Sequence, residues 1–340
     1  MKLASVEVIP YALPFRAPYV TVRGVLTQRE MVLLRLRDED GVVGLGEAVP
    51  LSLRGGATLA AVVGELEAFA ESRDEGMALS PPARCAVSTA LLDLRERQAG
   101  RLKEPPRPLP CNATLVGGEP AAVAADALRW AAEGYATFKL KLGTGADVAQ
   151  VAAVRAALGP QAQIRVDANA AWDLETATAI LAELEPLGVQ LAEQPVATLE
   201  QAAALAPRTS IPLAGDESIV TPEDAASARE SGAFALTGVK LSKVGGLLAA
   251  VLVADELPAY ISSALDGPVG IALGARAANA IAATRWPASG ERAHGLATQR
   301  LFSSTIAAVE CELSDGALTE PPGPGLGVEI DEDALEAHRL

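Results

Sequence analysis

Three acidic residues stand at the ends of three successive apolar runs, and lysines bracket them on both sides. The runs read Ile164-Arg165-Val166-Asp167, Val189-Gln190-Leu191-Ala192-Glu193 and Ile211-Pro212-Leu213-Ala214-Gly215-Asp216. Thr137-Phe138-Lys139-Leu140-Lys141 precedes them and Leu236-Thr237-Gly238-Val239-Lys240 follows. Carboxylates gathered at one mouth repel each other, and a divalent, oxygen-loving cation is the simplest remedy. Hard carboxylate donors with no His or Cys nearby favour Mg2+, with Mn2+ as a substitute. Lysines on either side of such a cation point to proton transfer at a carbon next to a carboxylate.

Lys139 and Lys141 are two apart on a strand-like run and so share a face, while Phe138, Leu140 and Leu142 take the other. Two inward lysines are costly unless anions meet them. Mutual repulsion, desolvation and a nearby cation would each lower their pKa values, which would suit one of them to act as a base. Taken singly, Asp167, Glu193 or Asp216 could equally cap a helix. In matching positions on consecutive runs they read as one ligand set. Asn169, two residues beyond Asp167, is a candidate for binding substrate or orienting a ligand. Glu217 is expected to point away from its neighbour Asp216. Lys240 ends its run, whereas Lys243, three residues on, reads as a solvated side chain before Gly245-Gly246. His294 reads as a core or supporting residue.

The elements that must position these groups alternate strand and helix. Strands are expected to start near 111, 137, 163, 189, 211, 235 and 258, with a weak eighth near 292–296 and Ala-rich helices between them. This is the pattern of a parallel β/α barrel, which aims its chemistry from the C-terminal strand ends. Upstream, strands over about 3–13, 29–37 and 42–48 and helices over 57–72 and 83–99 make an α+β module. Pro14, Pro18, Arg23 and Gly24 predict a long loop between its first two strands, and Lys103–Pro110 a linker. The expected organisation is an α+β capping domain over residues 1–107, a barrel over 108–318, and a tail over 319–340 returning to the capping domain.

Half of the 340 residues are hydrophobic, enough for a large core. A formal charge of −15 argues against non-specific nucleic-acid binding, whose affinity comes from neutralising phosphates. The cysteines, Cys85, Cys111 and Cys311, are odd in number and show no disulfide or zinc spacing, which fits a reducing cytoplasm. The chain opens on an alternating strand rather than a signal peptide, and no apolar run is long enough to span a membrane. Whether it assembles as a homo-oligomer is left open.

In combination, Lys-x-Lys, Asp-x-Asn, Glu-Gln-Pro, Gly-Asp-Glu-Ser and Lys-x-x-Lys-x-Gly-Gly resemble the muconate-lactonising subgroup of the enolase superfamily over nearly the whole chain. The resemblance implies a modified TIM barrel, (β/α)7β, under an N-terminal cap. It implies Lys141 and Lys240 as the acid/base pair, Asp167, Glu193 and Asp216 as Mg2+ ligands, and a small carboxylate substrate. Arg23 and the region near Leu51 and Ser52 would cover that substrate, with Lys139, Asn169, Ser262 and Ser263 beside it. Within the subgroup, Ile261-Ser262-Ser263-Ala264-Leu265-Asp266-Gly267-Pro268, with Cys111-Asn112-Ala113-Thr114 and Val22-Arg23-Gly24, resembles the short bacterial o-succinylbenzoate synthases. That implies dehydration of a cyclohexadiene carboxylate in menaquinone biosynthesis. The motif departs from the longer pattern at Gly267-Pro268. N-acylamino-acid racemases, dipeptide epimerases and muconate cycloisomerases share the scaffold and stay open as alternatives, although the Asp-x-Asp pair of the epimerases is missing near the eighth strand. A non-catalytic small-ligand-binding barrel is the alternative from a different class.

Overall fold

The computed structural model describes residues 2–21, 24–52, 55–100, 107–143 and 145–340. Strands β1 (Leu3–Thr21), β2 (Gly24–Asp38) and β3 (Val43–Ala48) form an antiparallel sheet in that order. Helices α1 (Leu59–Ser72) and α2 (Pro81–Ala99) cover one of its faces. Alternation along the strands divides the side chains. Val32, Leu34 and Leu36 pack with Val62, Leu66 and Leu94 under the helices. Tyr11, Leu13, Met31, Leu33 and Leu45 face the opposite way and join the main core with the barrel. By the same parity Arg29 and Glu47 point toward the barrel. A Cβ at Gly46 would lie 2.0 Å from the Ala86 carbonyl, so this glycine is what lets α2 sit on β3.

The long loop expected between the first two strands is instead a hairpin. β1 and β2 stay paired to Thr21 and Gly24, with a register irregularity between Pro14 and Tyr19. β1 is an edge strand, where a missing N–H is tolerated, and Pro18 falls inside the register break.

After the short β4 (Leu109–Pro110), seven parallel strands follow: β5 (Asn112–Leu115), β6 (Thr137–Lys141), β7 (Gln163–Asp167), β8 (Val189–Glu193), β9 (Leu213–Gly215), β10 (Leu236–Val239) and β11 (Ala259–Ile261). Each neighbour in sequence is a neighbour in the sheet. Helices α3 (Pro120–Ala132), α4 (Asp147–Leu158), α5 (Leu174–Leu184), α6 (Leu199–Leu205) and α7 (Pro222–Ser231) alternate with them. The short α8 (Leu241–Val244), then α9 (Leu247–Glu256) and α10 (Pro268–Ile281), complete the ring. The weak eighth strand is reduced to His294 and Gly295, which bridge Cys111 on one side and Ser262 on the other. Asn112 donates to the His294 carbonyl at 2.9 Å and Gly295 to that of Ile261 at 2.8 Å, closing the expected (β/α)7β barrel. The His294 ring, fully buried, accepts the Ile261 N–H on Nδ1 at 3.0 Å.

The C-terminal segment holds β12 (Ala307–Val309), β13 (Glu312–Ser314), β14 (Ala317–Thr319), β15 (Glu329–Ile330) and α11 (Glu332–His338). It touches the N-terminal module repeatedly. Leu326 donates to Asp93 Oδ1 at 2.6 Å, Glu332 pairs with Arg35 at 2.7 Å, and Leu340 donates to the Pro10 carbonyl at 3.0 Å. Among the described residues, no helix is long and apolar enough to cross a membrane.

Candidate active site

The strand register builds the site. Lys141 on β6 is the direct partner of Asp167 on β7, and Asp167 of Glu193 on β8. Glu193 pairs with Ala214 on β9, and Asp216 follows two residues later. These groups therefore share one layer at the C-terminal strand ends. Lys139 sits two residues below Lys141, facing the same interior. Lys240 follows β10, four strands around from β6 and so across the ring. Beneath this layer Leu191, Ala214, Leu236 and Tyr260 form a small apolar plug.

The charges interlock. Lys139 Nζ lies 2.6 Å from Glu193 Oε2 and 2.9 Å from Asp167 Oδ2. Lys141 Nζ lies 2.6 Å from the same Asp167 oxygen and donates to Asn169 Oδ1 at 3.1 Å. Lys240 pairs with Asp216 Oδ2. Lys243 does not project into solvent as expected. It is buried, donates to Asp216 Oδ1 at 2.8 Å and also meets the Asp216 carbonyl. The short α8 turns it back beneath its own strand end. Glu217, expected to point away, accepts from Asn169 Nδ2 at 3.2 Å and so belongs to the same mouth.

Burial would lower the Lys139 pKa, but the charges of Asp167 and Glu193 outweigh it and hold it well above the ordinary lysine value. Lys141 shows the same balance between burial and Asp167, and its pKa is also raised. The charges of Asp167 and Glu193 thus outweigh the burial and mutual repulsion from which the sequence suggested a lowering. Burial would raise Asp167, yet Lys139, Lys141 and Lys240 keep its carboxyl well below the usual range. Burial and the adjacent Glu193 push the Tyr260 hydroxyl well up.

The donor set suits a hard cation. Its members are carboxylate oxygens on adjacent strand ends, and Glu193 Oε1 is buried without a hydrogen-bond partner. A buried carboxylate oxygen left unpaired is costly, and a cation would satisfy it. Lysine ammonium groups hold Asp167 Oδ2, Glu193 Oε2 and both Asp216 oxygens, and the Asn169 N–H holds Asp167 Oδ1 at 3.0 Å. With the oxygens so paired, among the described residues no three of His, Cys, Asp or Glu stand together as a group that could hold a metal ion.

A cleft opens above this layer. Its barrel wall includes Asn112, Thr114, Lys139, Lys141, Asn169, Lys240, Ser262 and Ser263. Tyr19, Leu26, Arg29, Pro50 and Leu51 line it from the N-terminal module. Of the site residues expected from the sequence, Lys139, Lys141, Asn169, Lys240, Ser262 and Ser263 line this cleft, Asp167, Glu193 and Asp216 lie fully buried in the layer beneath it, and Arg23 lies outside the described residues. Ser263 is engaged within its loop, donating to Asp266 Oδ2 at 2.7 Å.

The sequence alone does not single out Arg29 or Tyr260. Arg29 donates to the Pro50 carbonyl at 2.7 Å and that of Ala264 at 3.2 Å, joining the two walls. Its parity with Met31 and Leu33 on β2 was the available signal. Tyr260 donates to Glu193 Oε2 from inside the barrel, and Gly238 leaves room for its ring.

Residues 122–334 match the family model for enolase C-terminal domain-like proteins. The chain is 37% identical to the o-succinylbenzoate synthase of Thermobifida fusca (strain YX) over 207 residues, which is 58% of this chain and 62% of that protein. It is 32% identical to an N-succinylamino acid racemase of Amycolatopsis sp, covering 96% of this chain and 95% of that protein. The structure of a dipeptide epimerase from Enterococcus faecalis V583, complexed with Mg and the dipeptide L-Leu-L-Tyr, superposes with a TM-score of 0.88 at 25% identity, covering 97% of this chain and all of that one. These relatives bear the names of enzymes, and with 122–334 matched the chain belongs to the enolase C-terminal domain-like family, within the enolase superfamily.

Proposed function

We propose that the chain is an o-succinylbenzoate synthase, dehydrating 2-succinyl-6-hydroxy-2,4-cyclohexadiene-1-carboxylate to o-succinylbenzoate on the way to menaquinone. The observation that carries this reading is the placement of Lys141 and Lys240 on opposite sides of one cleft, beside three strand-end carboxylates. The likeness to the Thermobifida fusca enzyme supports this reaction over others of the superfamily. Asp167, Glu193 and Asp216 would hold Mg2+, or Mn2+ in its place, which when bound would act as a Lewis acid on the substrate carboxylate.

Lys141, as the free amine, would take the proton from the carbon bearing the carboxylate. The resulting ammonium lies on the same face and would return that proton to the departing hydroxyl, so water leaves and the ring becomes aromatic. Lys240 would stay cationic and face the charge that develops on the carboxylate oxygens. Asn169, bonded to Lys141, would orient the amine. The three buried cysteine thiols suit a cytoplasmic setting.

Racemisation of N-acylamino acids is the second reading, supported by the Amycolatopsis relative and by a lysine on each face. Both substrates should be assayed with the purified protein, in chelator and in Mg2+. The leading reading expects Mg2+-dependent appearance of o-succinylbenzoate. Racemisation without dehydration would reject the choice of reaction, and full activity in chelator would reject the metal.

A further inference from the structure

The departure at Gly267-Pro268 has a physical cause. Gly267 is the N-cap of α10 and has no side chain with which to satisfy the helix's first N–H groups. The acceptor comes from the N-terminal sheet. Glu47 on β3 takes the Gly267 N–H on Oε1 at 2.7 Å, and its Oε2 accepts the Tyr11 hydroxyl at 2.9 Å. Both side chains are buried. A Cβ at Gly267 would lie 2.3 Å from the Tyr11 hydroxyl and 2.7 Å from Glu47 Oε2. One at Gly270 would lie 2.6 Å from Glu47 Oε1 and 2.7 Å from Asp266 Cβ. Any side chain at these two positions would displace the carboxyl, so the glycines keep its approach to the helix open.

The segment just before this cap lines the cleft, and it is under strain. Leu265 adopts a left-handed φ of 68°, which persists only where the surroundings impose it. Inside the loop, Asp266 Oδ2 accepts from Ser263 Oγ at 2.7 Å and from the Ala264 N–H at 2.8 Å. Arg29 holds the Ala264 carbonyl from the other wall. The C-terminal end of the loop is tied down through Gly267 to Glu47.

We propose that Glu47, seated by Tyr11, is a positioning residue: it caps α10 from the N-terminal sheet and so holds the 262–266 loop in its strained, cleft-lining conformation. This role applies to whichever reaction of the family the site performs. It also gives the N-terminal module a part in shaping the site from behind the loop, separate from the residues that line the cleft.

The test compares wild type, Glu47→Gln, Glu47→Ala and Tyr11→Phe as full chains, by amide hydrogen exchange and by steady-state kinetics. Glu47→Ala should speed exchange at least tenfold in peptides covering 262–275, with α1 and α2 unchanged. Glu47→Gln keeps an acceptor for Gly267 and should restore most of that protection. Tyr11→Phe should give an intermediate loss. On the substrate that wild type turns over, Glu47→Ala should raise KM several-fold more than it lowers kcat, and the amide should rescue KM. Unchanged exchange at 262–275, a uniform rise across the chain, or an amide no better than alanine would each overturn the role. If the alanine variant does not fold, wild-type-like exchange at 262–275 in Tyr11→Phe would overturn it, and loosening confined to 262–275 in Tyr11→Phe would support it. The exchange measurement needs no substrate, so it stands apart from any failure to dehydrate the diene.

Discussion

Replacing Lys139 with Met tests the charge layer without assuming any reaction. The ammonium is about 5% exposed and lies 2.6 Å from Glu193 and 2.9 Å from Asp167, both fully buried. Removing one partner of a buried ion pair typically costs about 3–5 kcal/mol, because an uncompensated charge stays inside. The loss should not double for two carboxylates, since Lys141 still reaches Asp167 and Tyr260 still donates to Glu193. Lys139→Met should therefore lose about 3–5 kcal/mol in urea denaturation with chelator present. Mg2+ should restore part of it, because a ligand bound only to the folded state at 100 times its Kd adds about 2.7 kcal/mol. The gain from Mg2+ should be larger in the variant than in wild type, because one ammonium no longer competes for Glu193 and Asp167. A cost below about 1 kcal/mol in chelator would refute the buried charge layer. Equal Mg2+ stabilisation of both proteins, or none, would remove these carboxylates as an ion site.

Lys141→Ala should abolish both deuterium exchange at the substrate α-carbon and dehydration, a loss of at least about 10²–10⁴-fold in turnover. Lys240→Arg should keep partial dehydration while losing any racemase activity, read on the same preparation, because a guanidinium keeps its charge but is too weak an acid to hand its proton to a carbon or to be left as a free base. Arg29→Met should raise KM and lower stability by about 1.5–3 kcal/mol, since a charged donor to two carbonyls is lost; unchanged kinetics and denaturation midpoint would remove Arg29 from the site. Burial, then the charge of Asp266, raises the Glu47 carboxyl from 4.5 to about 8. Between those values the folded state holds a proton that the unfolded chain has released, so stability should fall as pH rises through the window and level off above it. A gap of about 3.5 at 1.36 kcal/mol each bounds the fall at about 5 kcal/mol. Urea midpoints across the window should flatten in Glu47→Gln, and an undiminished slope there would reassign the titration.

The barrel was legible because its strands recur at even spacing and β6 carries its lysines on one parity and its apolar residues on the other. The register then set Lys141, Asp167 and Glu193 side by side, as their shared strand-end position implied. The first hairpin was not legible, because proline chemistry argues against a strand unless the strand lies at an edge, and edge position is a property of the sheet. The eighth strand was faint because only His294 and Gly295 bridge its neighbours. Arg29, Tyr260, Lys243 and Glu47 escaped for a common reason. Each is defined by a partner far away in the chain or, for Lys243, by a short helical turn that folds the side chain inward.

The charge balance of the layer connects its geometry to its chemistry. Within the set of direct ion pairs, Lys139, Lys141, Lys240 and Lys243 contribute four positive charges against three from Asp167, Glu193 and Asp216, a net of +1 before Glu217 at the same mouth is counted. The excess is small because each carboxylate is touched by two lysines or by a lysine and Tyr260, and this pairing is what raises the Lys139 and Lys141 pKa values. Lysines in that state stay protonated and have no lone pair with which to take a proton. A divalent cation on the same carboxylates would take over their charge, and a lysine would then lose its proton far more readily. The same residues that keep Lys141 protonated alone would thus let it shed its proton and act as a base once the cation is in place. Proton removal would in this way be confined to the loaded site.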